Sequence, residues 1–325
     1  MLDLVLANLL SAAVLCFALG VLACRLGSDL RLPEPVQTGL SAYLMLAIGL
    51  RGGVELVQLP LAELAAPLAG ALLMGCAIPL WSFAALRRLA GLPVADAAAL
   101  AAHYGSVSAV TFAAVTAMLE SQGIPFEGHA AAMLAVMEVP AIVVGISMAQ
   151  PLLAPARGAT VGRPARGSSV GIIASKSVLL LLGGLAIGAL AGPAGMRPVQ
   201  PFFIGLFPGV LCLFLLELGR LAAERLGDFA KVGGRLLAFS LLAPVAHAAL
   251  GLLVAAAAGL GEGGAVVFAT LCASASYIAA PAAVRAALPE ANPSLYLTCA
   301  LGITFPFNIV VGLPLYQAMA AALYR

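Results

Sequence analysis

Two pairs of serines interrupt long apolar stretches of this sequence. Ser106 and Ser108 lie in AAHYGSVSAVTFAAV, and Ser274 and Ser276 lie in TLCASASYIAAPAAV. Small residues let a helix backbone unwind and let a second helix approach closely. A break exposes amide groups that attract an anion and carbonyl groups that can coordinate a cation. The spacing therefore predicts two broken helices that cross at one site; the alternative is that these serines only pack helices together.

A carboxylate, Glu138, lies in the middle of the apolar stretch AVMEVPAIVV. A charge at that depth in a bilayer is costly unless it is paired, hydrated or protonated. Because Pro140 lacks an N–H, it also frees a carbonyl one turn back. The combination suits cation coordination or proton uptake, and the alternative is a structural ion pair, for example with Lys176. Thr304 and Asn308 lie in the stretch ITFPFNIVVG near the end of the chain, which corresponds to the stretch around Glu138.

Other polar residues in apolar stretches have simpler interpretations. Glu217 can pair with Arg220, and His247 is more typical of a packing residue than of a proton relay. His103 borders the first serine pair and is the more interesting histidine. The sequence contains no HExxH, GxSxG or GK[ST] motif, so we expect no enzyme and no cofactor. Any transport must then draw on an ion gradient or run downhill.

The composition indicates which elements position these residues. Of 325 residues, 63% are hydrophobic and only 9% are charged, whereas roughly a quarter of a soluble domain is charged. The surface must therefore be solvated by lipid, in which the backbone forms helices. A span needs about 20 apolar residues. We predict spans at 3–24, 34–50, 60–86, 93–119, 129–154, 171–193, 200–221, 232–259, 264–288 and 295–322, with Arg51-Gly52-Gly53 as one of the breaks between them.

An internal repeat organises the predicted spans. PVQ occurs at 35–37 and 198–200, the serine pairs correspond to each other, and IVVG recurs in the fifth and tenth spans. The repeating unit holds an odd number of spans, so the second copy must insert upside down, as in many secondary transporters. We predict an all-α membrane protein of two inverted five-helix repeats, at 1–155 and 170–325. The polar linker 156–169 joins them.

The basic residues predict the orientation. Of the 16 Lys and Arg residues, twelve lie in connections that follow odd-numbered spans. On the other side lie only Arg51, Arg197 and Arg325. Since basic residues accumulate on the cytoplasmic side, we expect both termini outside and the linker inside.

At these same residues the sequence resembles the sodium-dependent bicarbonate transporter family of cyanobacteria and other bacteria. The resemblance covers nearly the whole chain. It is clearest in IGLRGGVEL at 48–56, YGSVSAVTF at 104–112, PSLYLTCALG at 293–302 and ASASYIAAPAAVRAALPEANP at 273–293. It implies a core bundle that rocks against a gate bundle, a homotrimer in the bacterial inner membrane, and sodium-coupled bicarbonate uptake. It also implies inhibition by a small cytoplasmic protein related to the PII regulators.

The chain departs from the cyanobacterial pattern at several site positions. The fifth-span acid is Glu138 rather than aspartate, and the SSSD motif of the ninth span ends here in Tyr277. Ala109 and Val110 replace an expected Gly-Ser pair. The chain is thus a divergent member with fewer anionic and hydroxyl ligands.

We predict sodium symport of a small anion, most simply bicarbonate, by alternating access. The predicted substrate-binding residues are Gly105, Ser106, Ser108, Ala109, Thr111, Ala275 and Ser276. The predicted cation-coupling residues are Glu138, Ser108, Ser274, Ser276, Thr304 and Asn308, with Glu138, Ser274 and Ser276 as sodium ligands.

Other functional classes stay open at this point. A related fold could carry an organic acid with a proton or sodium. A channel would show uncoupled fluxes far above those of a carrier, and a membrane sensor would bind a ligand without flux. An intramembrane enzyme would need a catalytic dyad or metal cluster, for which the sequence offers only scattered candidates.

Overall fold

The computed structural model describes residues 6, 9–153, 176–226 and 233–325. The predicted linker 156–169 lies outside the described residues. All regular secondary structure in the described ranges is helical. We label the helices in chain order as α1 (Ala12–Arg25), α2 (Glu34–Leu56), α3 (Leu61–Arg88), α4 (Val94–Gly105), α5 (Ala109–Ser121), α6 (Ala130–Leu153), α7 (Lys176–Met196), α8 (Phe207–Leu226), α9 (Gly234–Ala257), α10 (Glu262–Ala273), α11 (Ala280–Ala287) and α12 (Pro293–Leu323).

Many of these helices are suited to lipid. Six helical stretches of the described chain are long and apolar enough to cross a membrane: Glu63–Arg88, Val94–Ser121, Ala130–Leu153, Val178–Met196, Gly234–Ala257 and Pro293–Leu323. Helices α2 and α8 are also long, at 23 and 20 residues, but they carry several charges. Helices α1 and α10 are shorter, at 14 and 12 residues. The chain is a multi-pass membrane protein. That it crosses the membrane ten times, as two inverted repeats, stays a prediction.

One predicted break is wrong. Helix α2 continues through Arg51, Gly52 and Gly53 and ends at Leu56. The glycines serve close packing instead of a turn: a β-carbon at Gly53 would lie 2.1 Å from the carbonyl oxygen of Leu185 in α7. Burial of the helix against α7 therefore outweighs the weak helical preference of two glycines.

Glycines fit two helix pairs together. In the pair of α2 with α7, a β-carbon at Gly188 would lie 2.1 Å from the carbonyl oxygen of Leu50. In the pair of α1 with α8, a β-carbon at Gly20 would lie 1.9 Å from the carbonyl oxygen of Leu216. Such contacts require glycine, because any side chain would displace a neighbouring backbone. Close backbone contact is the usual way in which helices associate in lipid.

The last helix is locally widened. Helix α12 contains π-helical stretches at Thr298–Thr304 and Asn308–Gly312, on either side of Pro306. Proline cannot donate to the helix ladder, and wider turns near it relieve the local clash. The widened region packs near α9 and α10, so it lies beside the second serine pair.

Candidate functional site

Both serine pairs lie where a helix is interrupted, which confirms the predicted breaks. Helix α4 ends at Gly105 and α5 begins at Ala109. Helix α10 ends at Ala273, and α11 begins at Ala280 after a non-helical stretch. The first serine of each pair has nearly the same extended backbone, with φ −81° and ψ 162° at Ser106 and φ −80° and ψ 164° at Ser274.

The sequence explains the first break locally. The hydroxyl of Ser108 accepts a hydrogen bond of 3.2 Å from the amide of Thr111, which is the bond of a helix N-cap. At the other side of the break, Gly105 packs against the ring of Pro79 in α3. A β-carbon there would lie 2.6 Å from Pro79 Cδ. Glycine at the end of α4 therefore allows the close approach of α3.

The two breaks contact each other directly. The amide of Ser108 donates to Ser274 Oγ at 2.9 Å, and the amide of Ser276 donates to the carbonyl of His103 at 2.8 Å. Each break thus satisfies backbone groups that the other leaves without a helical partner. The ends of four half-helices converge in one buried region.

A small cavity lies beside this crossing, with an empty volume of about 230 Å³. We call it the site cavity. Its polar lining residues are Glu138, Ser108, Ser276 and Tyr277. The complete lining is Met45, Val107, Ser108, Ala109, Glu138, Ser276, Tyr277, Ile278 and Ala279. Carboxylate and hydroxyl oxygens are suitable ligands for a hard cation, and the first turn of α5 is a suitable place for an anion.

Glu138 is only 4% exposed and lies within α6. The hydroxyl of Ser106 donates to its backbone carbonyl at 3.2 Å, which ties α6 to the first break. Its carboxylate forms no ion pair with any basic residue of the described chain. Lys176, the suggested partner, lies against the carbonyl of Thr38, with Nζ at 3.4 Å. The alternative of a Glu138–Lys176 ion pair is therefore wrong, and Glu138 is instead one of the residues that line the cavity.

The structure brings some of the predicted residues to the cavity and places others behind it. Ser108, Ala109, Glu138 and Ser276 line the cavity. The hydroxyl of Ser274 donates to the carbonyl of Leu271 at 2.9 Å, so it supports the break without lining the cavity. The remaining predicted residues at the breaks are buried around it: Gly105, Ser106, Thr111 and Ala275.

Thr304 and Asn308 lie away from the cavity. Thr304 Oγ1 donates to the carbonyl of Ser240 at 2.7 Å and lies 2.6 Å from the hydroxyl of Tyr104. Asn308 Nδ2 donates to the carbonyl of Ala273 at 3.0 Å, and its Oδ1 accepts from Tyr316 at 2.7 Å. Asn308 therefore holds the end of α10 in place, while Thr304 links α12 to α9.

Two other polar residues have structural partners, as the sequence indicated. Glu217 accepts hydrogen bonds from Arg220, from Gln37 at 2.9 Å and from the amide of Leu32 at 3.1 Å. His247 Nε2 accepts from the indole of Trp81 at 2.9 Å.

Sequence reasoning missed Tyr277 as a site residue. The sequence singled out Tyr277 only as the position where the family pattern has an acid. In the structure its hydroxyl accepts from the hydroxyl of Ser108 at 3.3 Å, and its side chain lines the cavity. Its place directly after Ser276 was the available signal, but the contact with Ser108 depends on how the two broken helices cross.

The model of one family, described as the Na⁺-dependent bicarbonate transporter superfamily, matches residues 12–321, nearly the whole chain. No curated protein matches the sequence.

Proposed function

Because the chain belongs to the Na⁺-dependent bicarbonate transporter superfamily, we propose that it takes up bicarbonate together with sodium by alternating access. The observation that carries the proposal is the contact of two broken helices beside a buried cavity. The lining of that cavity includes one acidic and three hydroxyl-bearing residues, and its other lining residues are apolar.

The anion binds at the start of α5 in this proposal. Ala109, the first residue of α5, lines the cavity beside the hydroxyls of Ser108 and Ser276. The first amides of a helix lack helical partners, and the helix dipole favours negative charge there. The hydroxyl of Ser276 can donate a further hydrogen bond to an anion oxygen, whereas that of Ser108 already donates to Tyr277.

Sodium binds at Glu138. Its carboxylate and the neighbouring hydroxyl oxygens of Ser108 and Ser276 provide hard oxygen ligands in the cavity. Each ion alone is costly to bury, whereas a neighbouring opposite charge offsets much of that cost. Binding of one ion therefore raises the affinity for the other, and this mutual dependence is the coupling of the symport.

The helix pairs α1–α8 and α2–α7 form the gate bundle, and α3–α6 with α9–α12 form the core bundle. The site cavity lies between them, because Met45 belongs to α2 and the other lining residues belong to the core. Two larger cavities lie between the same bundles, and the second of them shares lining residues with the site cavity. One of about 550 Å³ is lined by Arg51, and another of about 1,050 Å³ is lined by Lys176. We interpret them as the two access routes, outer and cytoplasmic respectively.

The inverted repeat, the outward termini, the inner-membrane location, the homotrimer and the PII-like regulator belong to the same proposal. The nearly identical backbone angles at Ser106 and Ser274 support the repeat. So does the pairing of α1 with α8 and of α2 with α7, since exchange of the two five-helix units relates these pairs.

Uptake of labelled bicarbonate into proteoliposomes tests the function. We expect accumulation when an inward sodium gradient is imposed and little accumulation when potassium replaces sodium. Absence of uptake in both conditions would refute bicarbonate as the substrate. Equal uptake in both conditions would refute sodium as the coupling ion and leave Glu138 as a proton carrier.

A further inference from the structure

Tyr277 lies at the boundary between two cavities. The site cavity and the larger Lys176 cavity share three consecutive lining residues, Tyr277, Ile278 and Ala279. The Lys176 cavity is also lined by Gln37 and Glu217. This short non-helical stretch is therefore a thin partition between the buried site and the wide cavity.

Contacts within the core bundle hold Tyr277 in the partition, and one of them connects it to the gate bundle. Its hydroxyl accepts a hydrogen bond of 3.3 Å from Ser108 of the first break. Its ring packs edge-on against Phe305 of α12, with centroids 5.1 Å apart. Phe305 in turn contacts Phe17 of α1 in the gate bundle, with centroids 5.6 Å apart. A chain of three aromatic rings thus connects the partition to the gate bundle.

These contacts are of a kind that a small movement can break. The bond to Ser108 is long for two hydroxyls, whose usual separation is about 2.7–2.8 Å. The residues from Ser274 to Ala279 lie between two helices and lack the regular helical ladder. A displacement of α1 relative to the core would move Phe17 and release the ring chain.

We propose that Tyr277 is the gate between the site cavity and the cytoplasmic access route, and that its ring closes the route when it packs on Phe305. The proposal rests on the proposed function, since a gate matters only if ions pass through the site. The residue found where the family pattern has an acid thus blocks the path instead of ligating a cation.

A thiol placed in the site cavity tests the gate. Ala109→Cys puts a reactive group at the first turn of α5, where the helix N-terminus favours the thiolate. In inside-out vesicles, a membrane-impermeant methanethiosulfonate reagent reaches this thiol from the cytoplasmic side. Labelling of vesicles that contain the protein without Ala109→Cys is subtracted, because the six native cysteines can also react.

We expect slow labelling of Ala109→Cys and much faster labelling when Tyr277→Ala is added. If the open gate is at most about 10% populated, permanent opening accelerates labelling roughly tenfold or more. Tyr277→Phe keeps the ring and should increase the rate far less. Leu301→Ala, which truncates a side chain that lines only the Lys176 cavity, is the matched control and should leave the rate unchanged.

Equal rates with Tyr277 and Tyr277→Ala would overturn the proposal, and so would an equal acceleration by Leu301→Ala. If Tyr277→Ala does not fold, Tyr277→Leu removes the ring while retaining a buried apolar side chain and answers the same question. The labelling needs neither bicarbonate nor sodium. Failure of bicarbonate uptake would therefore refute the transport function and leave the labelling result interpretable. Uptake together with labelling that Tyr277→Ala does not change would refute only the gate.

Discussion

Glu138 is the acidic side chain among the residues that line the site cavity, and its surroundings explain its proposed role. It is buried, it lines the cavity together with three hydroxyl-bearing residues, and no basic residue of the described chain pairs with it. Such a carboxylate is costly unless a cation or a proton neutralises it. In the proposed mechanism, bound sodium supplies that neutralising charge.

Glu138→Gln keeps the shape of the side chain and removes its charge. Hydrogen bonds and contacts to charged groups are worth about 1.5–3 kcal/mol, so sodium affinity should fall by roughly 10-fold to 150-fold. Sodium titrations of bicarbonate uptake measure the change. Glu138→Asp, the acid typical of the family pattern, should retain sodium dependence.

Glu63→Gln is the matched control, because it removes an equal charge from an exposed residue at the start of α3. It should leave sodium dependence intact. A normal sodium response in Glu138→Gln would exclude Glu138 as the coupling residue.

At the scale of single residues, the sequence predicted the serine pairs and Glu138 as site residues. A polar group in an apolar stretch is costly to bury unless it has a partner or a function. The sequence did not predict that Thr304 would form hydrogen bonds with Ser240 and Tyr104, or that Asn308 would form one with Ala273. Those partners lie far along the chain or across a helix, and hydrogen-bond satisfaction is decided by packing.

Helices α2 and α7 are matched to each other along a face of glycines. The face includes Gly49, Gly53, Gly184 and Gly188, each of which approaches the backbone of the other helix. A strict spacing of small residues four apart produces such a face. The rigidity of this pair lets the gate bundle move as a unit in the proposed mechanism.

Gly188→Ala should destabilise the protein, because its β-carbon would lie 2.1 Å from the carbonyl oxygen of Leu50. Insertion of a methyl group into a tight contact costs about 1–3 kcal/mol. Thermal unfolding in detergent measures the loss. Gly183→Ala, with nothing within 4 Å of the added atom, is the matched control and should be neutral. Equal melting temperatures for the two variants would contradict the tight packing of α2 on α7.

Helix boundaries show the limit of sequence reasoning at this scale. The breaks at the serine pairs were predictable because glycine, serine and proline cluster there. The continuation of α2 through Arg51 and Gly53 was not, since it depends on α7, more than a hundred residues away. The π-helical stretches around Pro306 were also missed, because several local backbone geometries relieve the clash of a proline within a helix equally well.

For the molecule as a whole, the arrangement of charge predicts its orientation. Twelve of the 16 basic residues lie on one predicted side of the membrane. The membrane character and the family follow from the sequence almost directly. The inverted two-fold relation requires an odd number of spans in each repeat, so it predicts that the linker and the C-terminus lie on opposite sides of the membrane.

An epitope tag fused after Arg325 should be accessible to antibody in intact spheroplasts, because the orientation places that terminus outside. A tag inserted in the linker 156–169 should become accessible only after permeabilisation and is the control. Detection of the terminal tag only after permeabilisation would reverse the orientation and the assignment of the two access routes.

The central claim is that one cavity at the crossing of two broken helices binds both ions and couples their affinities. Titration calorimetry of the purified protein tests it most directly, with bicarbonate dissociation constants measured in sodium and in potassium. We predict that sodium tightens bicarbonate binding by a factor within about 5-fold to 150-fold, and that bicarbonate tightens sodium binding by the same factor. Glu138→Gln should abolish the effect. Bicarbonate binding that is equally tight in both salts would contradict the account.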